Sequence, residues 1–202
     1  SGFKTASVEE LPDAVEVMDP FHVVKLAGDA LDEVRRRIQQ ETTGHRGRAK
    51  EPMYRARRTL HTGADLLTTK QQERIAGLFT DSSFTEVEVT WAVYQDIVNA
   101  YRTADRNEGK KLLTTVIDTL TTNLPTGLVE LKQLGRTLKR RAVDVLAFFT
   151  RPGTSNGPTE AINGRLEHLR GSALGFRNLT HYIARSLLES GGFRPTLHSQ
   201  SR

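Results

Sequence analysis

Residues 154–170 read TSNGPTEAINGRLEHLR, and here a turn, a helix start and a placed carboxylate coincide. Ser155, Asn156 and Gly157 are turn and cap residues, and Pro158 suits a first helical turn, where its missing N–H is no loss. Ile162, Leu166, Leu169 and Ala173 then recur at helical spacing as one apolar stripe. Glu160, Asn163 and Glu167 fall at i, i+3 and i+7 and share a different face. Glu160 sits in the first turn, near unpaired backbone N–H groups and the positive end of the helix dipole, which favours an ionised carboxylate. That is the form that ligates a hard cation such as Mg²⁺. Acidic first turns also arise for purely local reasons, so the spacing alone leaves both readings open.

Before this stretch lies the strongest amphipathic pattern in the chain. Leu128, Leu131, Leu134, Leu138, Ala142, Val145 and Phe149 predict one long helix, which Arg151-Pro152-Gly153 stops. Lys132, Arg136, Lys139 and Arg140 make a separate basic stripe on it. After the stretch, residues 171–177 lead into a last helix over 178–190, and Gly191-Gly192 ends it before a tail, 193–202, expected to be mobile. Earlier in the chain, residues 5–11 read as a short helix and residues 15–18 (VEVM) as a strand, followed at once by Asp19-Pro20-Phe21-His22. Val24, Ala27, Leu31, Val34 and Ile38 define a long helix, and residues 44–50 (GHRGRAK) a basic loop. Further helices are predicted over 54–67, 69–79, 84–103 and 107–120.

The 202 residues suit one domain, or one domain with a large insertion. With 37% hydrophobic and 26% charged residues the chain is lean but globular. It has no cysteine, which excludes disulfides and thiolate metal sites. No apolar run reaches membrane-spanning length, so no membrane partner is expected, and no signal peptide opens the chain. It begins at Ser1 in what reads as the middle of an element, which suggests a fragment. The net charge of +5 is unevenly spread: residues 126–190 carry ten Lys or Arg against five Asp or Glu, while residues 1–125 are slightly acidic. A basic surface around an acidic site suits a polyanion, most simply nucleic acid.

The nominated chemistry is sparse. Asp19 and His22 directly follow the expected strand, where α/β enzymes place polar site residues; the competing reading is a helix cap with a locally packed histidine. The other histidines lack metal-helix spacing, no Gly-x-Ser-x-Gly elbow supports a hydrolase, and no glycine-rich phosphate cradle occurs. Trp91 could stack on an extruded base, but its spacing from Val87 and Tyr94 equally describes a core residue. Arg151, Arg165, Arg170 and Arg177 extend the basic stripe towards the Glu160 helix, as phosphate contacts that give affinity without reading sequence. One strand cannot make a sheet, and the helical residues between Asp19 and Glu160 could be an insertion between two halves of an α/β core. The reading requires the end of that strand and the start of the Glu160 helix to come together.

Four blocks, LPDAVEVMDPFHVVKLA, LKRRAVDVLAFF, TSNGPTEAINGRLEHLRG and GFRNLTHYIARSLL, together resemble the ISL-three family of bacterial insertion-sequence transposases, in order over nearly the whole chain. The resemblance implies a mostly α chain carrying part of an RNase H-like α/β core, residues 1–22 with 150–192, interrupted by an all-helical insertion, residues 23–149. It implies a DDE active site in which two aspartates and a glutamate hold two divalent ions, Mg²⁺ or Mn²⁺. Glu160 matches the glutamate; Asp19 and His22 match a supporting Asp-x-x-His motif, and Asn163 lies beside the glutamate block. Both catalytic aspartates are expected upstream of Ser1, with the family's DNA-binding region, so Asp19 is not a substitute for either. The implied partners are insertion-sequence terminal repeats and further copies of the protein on DNA, in the bacterial cytoplasm. The alternatives are a non-catalytic helical DNA-binding or assembly module, or a decayed transposase remnant.

Overall fold

The computed structural model describes residues 13–122, 124–154 and 157–190, and in them the chain is mostly α-helical. The expected helix over 5–11 and the tail 193–202 lie outside the described residues. The chain divides into two compact units, residues 1–154 and 155–202.

In the first unit, α1 (Pro20–Thr43) starts at Asp19, whose side chain accepts the Phe21 N–H at 2.8 Å, with Pro20 as its first residue. It ends on Gly44 at φ 75, a left-handed cap that glycine adopts without strain. Then come α2 (Pro52–Ala56), α3 (Thr69–Phe79), α4 (Thr85–Arg102), α5 (Arg106–Thr122), α6 (Val129–Arg140) and α7 (Ala142–Thr150). α1 packs on α4 and α6, and α5 lies against α4, α6 and α7. Val23, Leu31 and Val34 of α1 meet Val87 and Ile97 of α4, Leu113 and Ile117 of α5, Leu131 and Leu138 of α6, and Val145 of α7 in one core. Each such side chain stabilises the bundle by roughly 1.5–3 kcal/mol relative to its exposed state. α5 and α6 approach closely because Gly135 has no side chain: a Cβ there would lie 2.7 Å from the Leu120 carbonyl oxygen.

Three expectations need correction. Residues 15–18 form no strand; among the described residues there is none. The segment has no strand to build a ladder with among the described residues, and Met18 instead donates its N–H to the Asp144 carbonyl at 2.9 Å. The single long helix over 128–149 breaks at Arg141 (φ −109, ψ 17), which separates α6 from α7. The apolar period runs through the break, so periodicity could not reveal it. Residues 54–67 are not a helix beyond Ala56; they form two 3₁₀ turns, Thr59–His61 and Ala64–Leu66. Side chains of α4 satisfy this irregular backbone: Tyr94 Oη donates to the His61 carbonyl at 2.8 Å, and Gln95 donates to the Thr62 carbonyl and accepts the Ala64 N–H. On α5 the deepest residues are Leu113, Ile117 and Leu120, with Leu112 and Val116 at the core's edge.

Polar clamps bind the bundle further. Arg37 of α1 reaches Glu130 of α6 at 2.7 Å, Glu86 of α4 at 2.6 Å and the Gly127 carbonyl at 3.1 Å. Asp32 accepts from Arg35 at 3.2 Å and Arg36 at 3.1 Å, with His61 in ion-pair range at 3.7 Å. His61 first, then Arg35, hold the Asp32 carboxyl down to about 2, against the opposing effect of burial. Trp91 packs beside Phe79 at the edge of the core, ring centres 5.7 Å apart.

The second unit holds α8 (Gly157–Ser172) and α9 (Leu179–Ser190), which pack on each other. Leu174 (φ 53) and Gly175 (φ 90) turn the chain between them, and the Gly175 N–H returns to the Arg170 carbonyl at 2.9 Å.

Candidate functional site

The proposed site residues divide between the two units. In the first, the segment before α1 is fixed to α7 by Met18, and the chain enters α1 through Asp19. The Asp19 carboxylate caps the helix, as the local reading of Asp19-Pro20 expects. Its charge also reaches α4: the Tyr101 phenol is pushed well above its ordinary range, mainly by burial and then by Asp19. Tyr101 stacks on Phe149 at 5.2 Å and meets Phe148 edge-on at 5.5 Å, and its buried hydroxyl has no hydrogen-bond partner among the described residues. Its place beside Asp19 carries no sequence signal, because the two are 82 residues apart and the helical period marks Tyr101 only as apolar-facing. His22 is exposed, with its ring edge-on to Phe21, and no carboxylate pairs with it among the described residues.

In the second unit, Glu160 lies in the first turn of α8 with an exposed side chain. Asn163 and Glu167 are exposed further along, so the three are on the outer part of the helix as their spacing predicts. Glu167 is paired with Arg170 at 2.5 Å. Leu166 and Leu169 are half-buried, while Ile162 and Ala173 remain exposed.

The basic positions differ in how free they are. On α6, Arg136 and Arg140 are exposed and Lys132 half-exposed. Lys139 is engaged by Asp118 of α5 at 2.9 Å, and Arg136 donates to the Lys132 carbonyl of its own helix at 3.3 Å. Arg151, Arg165 and Arg177 are exposed; Arg170 is exposed but shares its charge with Glu167.

A metal ion needs several converging oxygen ligands. Within neither unit do the described residues gather three or more His, Cys, Asp or Glu around one point. Glu160 offers one carboxylate, and the Asp19 carboxylate is occupied as a cap. These residues do not by themselves fit a two-metal centre.

A transposase family model, that of the ISL-three DDE transposases, matches residues 1–186. The chain belongs to the ISL-three transposase family. Among curated proteins, it is similar to the transposase for insertion sequence element IS1557 of Mycobacterium tuberculosis, in strains CDC 1551 / Oshkosh and ATCC 25618 / H37Rv. Each alignment is 29% identical over 210 residues and covers 94% of this chain and 46% of the relative. The chain therefore spans about half the length of the curated relatives it matches. No solved structure matches it. Both Asp19 and Glu160 fall inside the span matched by the transposase family, as do the α6 stripe and Arg177. No helix among the described residues is long and apolar enough to cross a membrane.

Proposed function

We propose that this chain forms the later part of the catalytic domain of an insertion-sequence transposase, which cleaves and rejoins DNA at the element's ends. The observation that carries the reading is the transposase match over residues 1–186, which includes the Ser-Asn-Gly-x-x-Glu block with Glu160 in the first turn of α8. In this reading residues 1–22 and 150–192 contribute to an RNase H-like core, and residues 23–149 are a helical insertion.

Glu160 is then the glutamate of the DDE set. The helix N-terminus favours its ionised form, and its exposure leaves both carboxylate oxygens open to a ligand. Two bound Mg²⁺ or Mn²⁺ ions would supply Lewis acidity and an activated oxygen nucleophile at phosphorus. The two aspartates that complete such a site come from elsewhere in the full-length protein. By itself the chain holds metal weakly and cuts nothing. Asp19 fixes the entry to α1, and with His22 and Asn163 supports the site rather than holding metal. Lys132, Arg136, Lys139, Arg140, Arg165, Arg170 and Arg177 neutralise DNA phosphates, and the complete protein works as an oligomer on the terminal repeats.

The test is a nicking assay of the full-length transposase on terminal-repeat DNA with Mg²⁺. Glu160→Gln keeps the size and removes the charge; it is expected to lower nicking at least a hundredfold and to leave DNA affinity without metal unchanged. Unaltered nicking would remove Glu160 from the active site.

A further inference from the structure

We infer that residues 44–51 of the first unit are a pre-shaped docking loop for a nucleic-acid phosphate backbone, with Arg46, Arg48 and Lys50 as its contacting cations. The choice of nucleic acid as partner rests on the transposase reading above; the shape of the loop does not.

The loop is held from below by a chain of polar contacts. Arg35 and Gln39 of α1 are buried, at 3% and 2% exposure. Arg35 Nη1 donates to Gln39 Oε1 at 2.6 Å, and Gln39 Nε2 donates to Glu51 Oε2 at 3.2 Å. The same Glu51 oxygen accepts the Arg48 backbone N–H at 3.0 Å, while Glu51 Oε1 lies 3.1 Å from His45 Nε2. His45 Nδ1 accepts the Gly47 N–H at 3.2 Å, so its other nitrogen carries the proton that faces Glu51. Gly47 has φ 100, and a Cβ there would sit 2.5 Å from Gln39 Nε2. The glycine is therefore needed twice, for its backbone angle and for the seat on the buried amide.

This framework turns the loop's only acid inward. Glu51 is half-buried and committed to Gln39, His45 and the Arg48 backbone. Arg46, Arg48 and Lys50 are exposed, and none of the three side chains has an ion pair or hydrogen bond among the described residues. Elsewhere in the unit Lys25, Arg36, Arg37, Arg102, Lys139 and Arg141 each have a carboxylate partner, while Arg55, Lys70, Arg74, Arg136 and Arg140 are exposed without one among the described residues but stand on helices rather than in a loop. Glu41, the last acid of α1, is taken up by Arg37 at 3.4 Å. Three cations within five residues repel one another, and a floppy loop would let them separate. A loop pinned by a buried network keeps them together, which favours a ligand that presents successive negative charges. A phosphate backbone does so, and releases counterions when it binds. Contacts of this kind hold register without reading bases.

The test is fluorescence anisotropy of the 202-residue chain on a labelled duplex of arbitrary sequence, without metal, between 50 and 200 mM salt. Replacing Arg46, Arg48 and Lys50 together by Ala alters only exposed side chains. It is expected to flatten the slope of log affinity against log salt by about 2–3, since each phosphate contact adds roughly 0.9. Affinity at 50 mM salt should fall at least tenfold. Glu51→Ala separates shape from charge. Removal of an acid should tighten a purely electrostatic attraction, whereas loss of the pinned shape weakens binding, by about threefold or more. An unchanged slope in the triple variant, no binding of the parent chain to duplex, or preferential binding to phosphatidylserine vesicles would overturn the inference. Tighter binding by Glu51→Ala would overturn the pre-shaped loop. None of these results bears on Glu160, whose nicking assay tests the catalytic reading separately.

Discussion

The bundle of α1 to α7 and the pair α8–α9 are built from similar amphipathic helices, yet their apolar stripes meet different fates. In the bundle, Leu31, Leu113, Ile117, Leu131 and Leu138 lose nearly all contact with water. In the pair, Leu179, Ile183 and Leu187 recur at four-residue steps along α9 and remain 70%, 49% and 60% exposed. Both patterns are equally periodic; only one of them finds enough neighbours. Seven helices can enclose a core, whereas two cannot cover each other's faces, so the pair draws its order from local contacts. The nominated metal ligand, Glu160, stands on the sparsely packed part, and the pinned basic loop on the well-packed part.

This contrast is most sharply tested by paired truncations. Leu113→Ala is expected to destabilise the bundle by about 2–5 kcal/mol, the range for deleting a fully buried leucine. Ile183→Ala should cost no more than about 0.5 kcal/mol, as for a surface substitution. Urea denaturation of both variants measures the difference, and equal costs would mean that the α9 stripe is covered in solution.

A smaller effect concerns acid. The folded Asp32 carboxyl titrates at about 2 instead of 3.8, so its contribution is complete above pH 4 and is lost as pH falls towards 2. The amount is of order 2 kcal/mol at most. Thermal melts of the bundle should show this loss, and Asp32→Asn should flatten the profile in that window. In the helix pair Glu167 meets Arg170 in an exposed i, i+3 ion pair of the kind that contributes little to stability, so a matching loss in α8–α9 helicity would blur the distinction between the units.

The smallest expected change lies in the pair itself. Leu174 holds φ 53 with its side chain 98% exposed, so it pays left-handed strain and packs on nothing. Leu174→Gly removes about 1 kcal/mol of that strain, less the extra freedom of glycine in the unfolded chain. A modest rise in α8–α9 helicity by circular dichroism is expected, and a fall would show that the leucine makes a contact in solution.

The sequence was most legible where a signal is local. The helix Thr69–Phe79 begins where Thr68 and Gln71 make reciprocal capping bonds, and α8 begins at Gly157 with Glu160 in its first turn. Asp19-Pro20 likewise carries its cap on its face. It was illegible where a distant partner decides. VEVM has strand-forming residues, but Met18 bonds to Asp144, and no second strand pairs with it among the described residues. Residues 54–67 have helical letters, but Tyr94 and Gln95 of α4 satisfy their backbone in another shape. Residues 44–50 read as a basic loop, with nothing to indicate that Gln39 and Glu51 would hold it.

From the letters alone followed the helical class, the order of most helices, the family resemblance and the position of Glu160 at a helix start. These depend on neighbours within a few residues, or on the order of short blocks, and both are written along the chain. Tertiary structure alone decided which apolar faces are covered, that α6 and α7 part at Arg141, that Gly135 admits Leu120, and that three cations share one rigid loop. Each depends on atoms far apart in sequence, and a hydrophobic period records which side of a helix avoids water but not what arrives to exclude it.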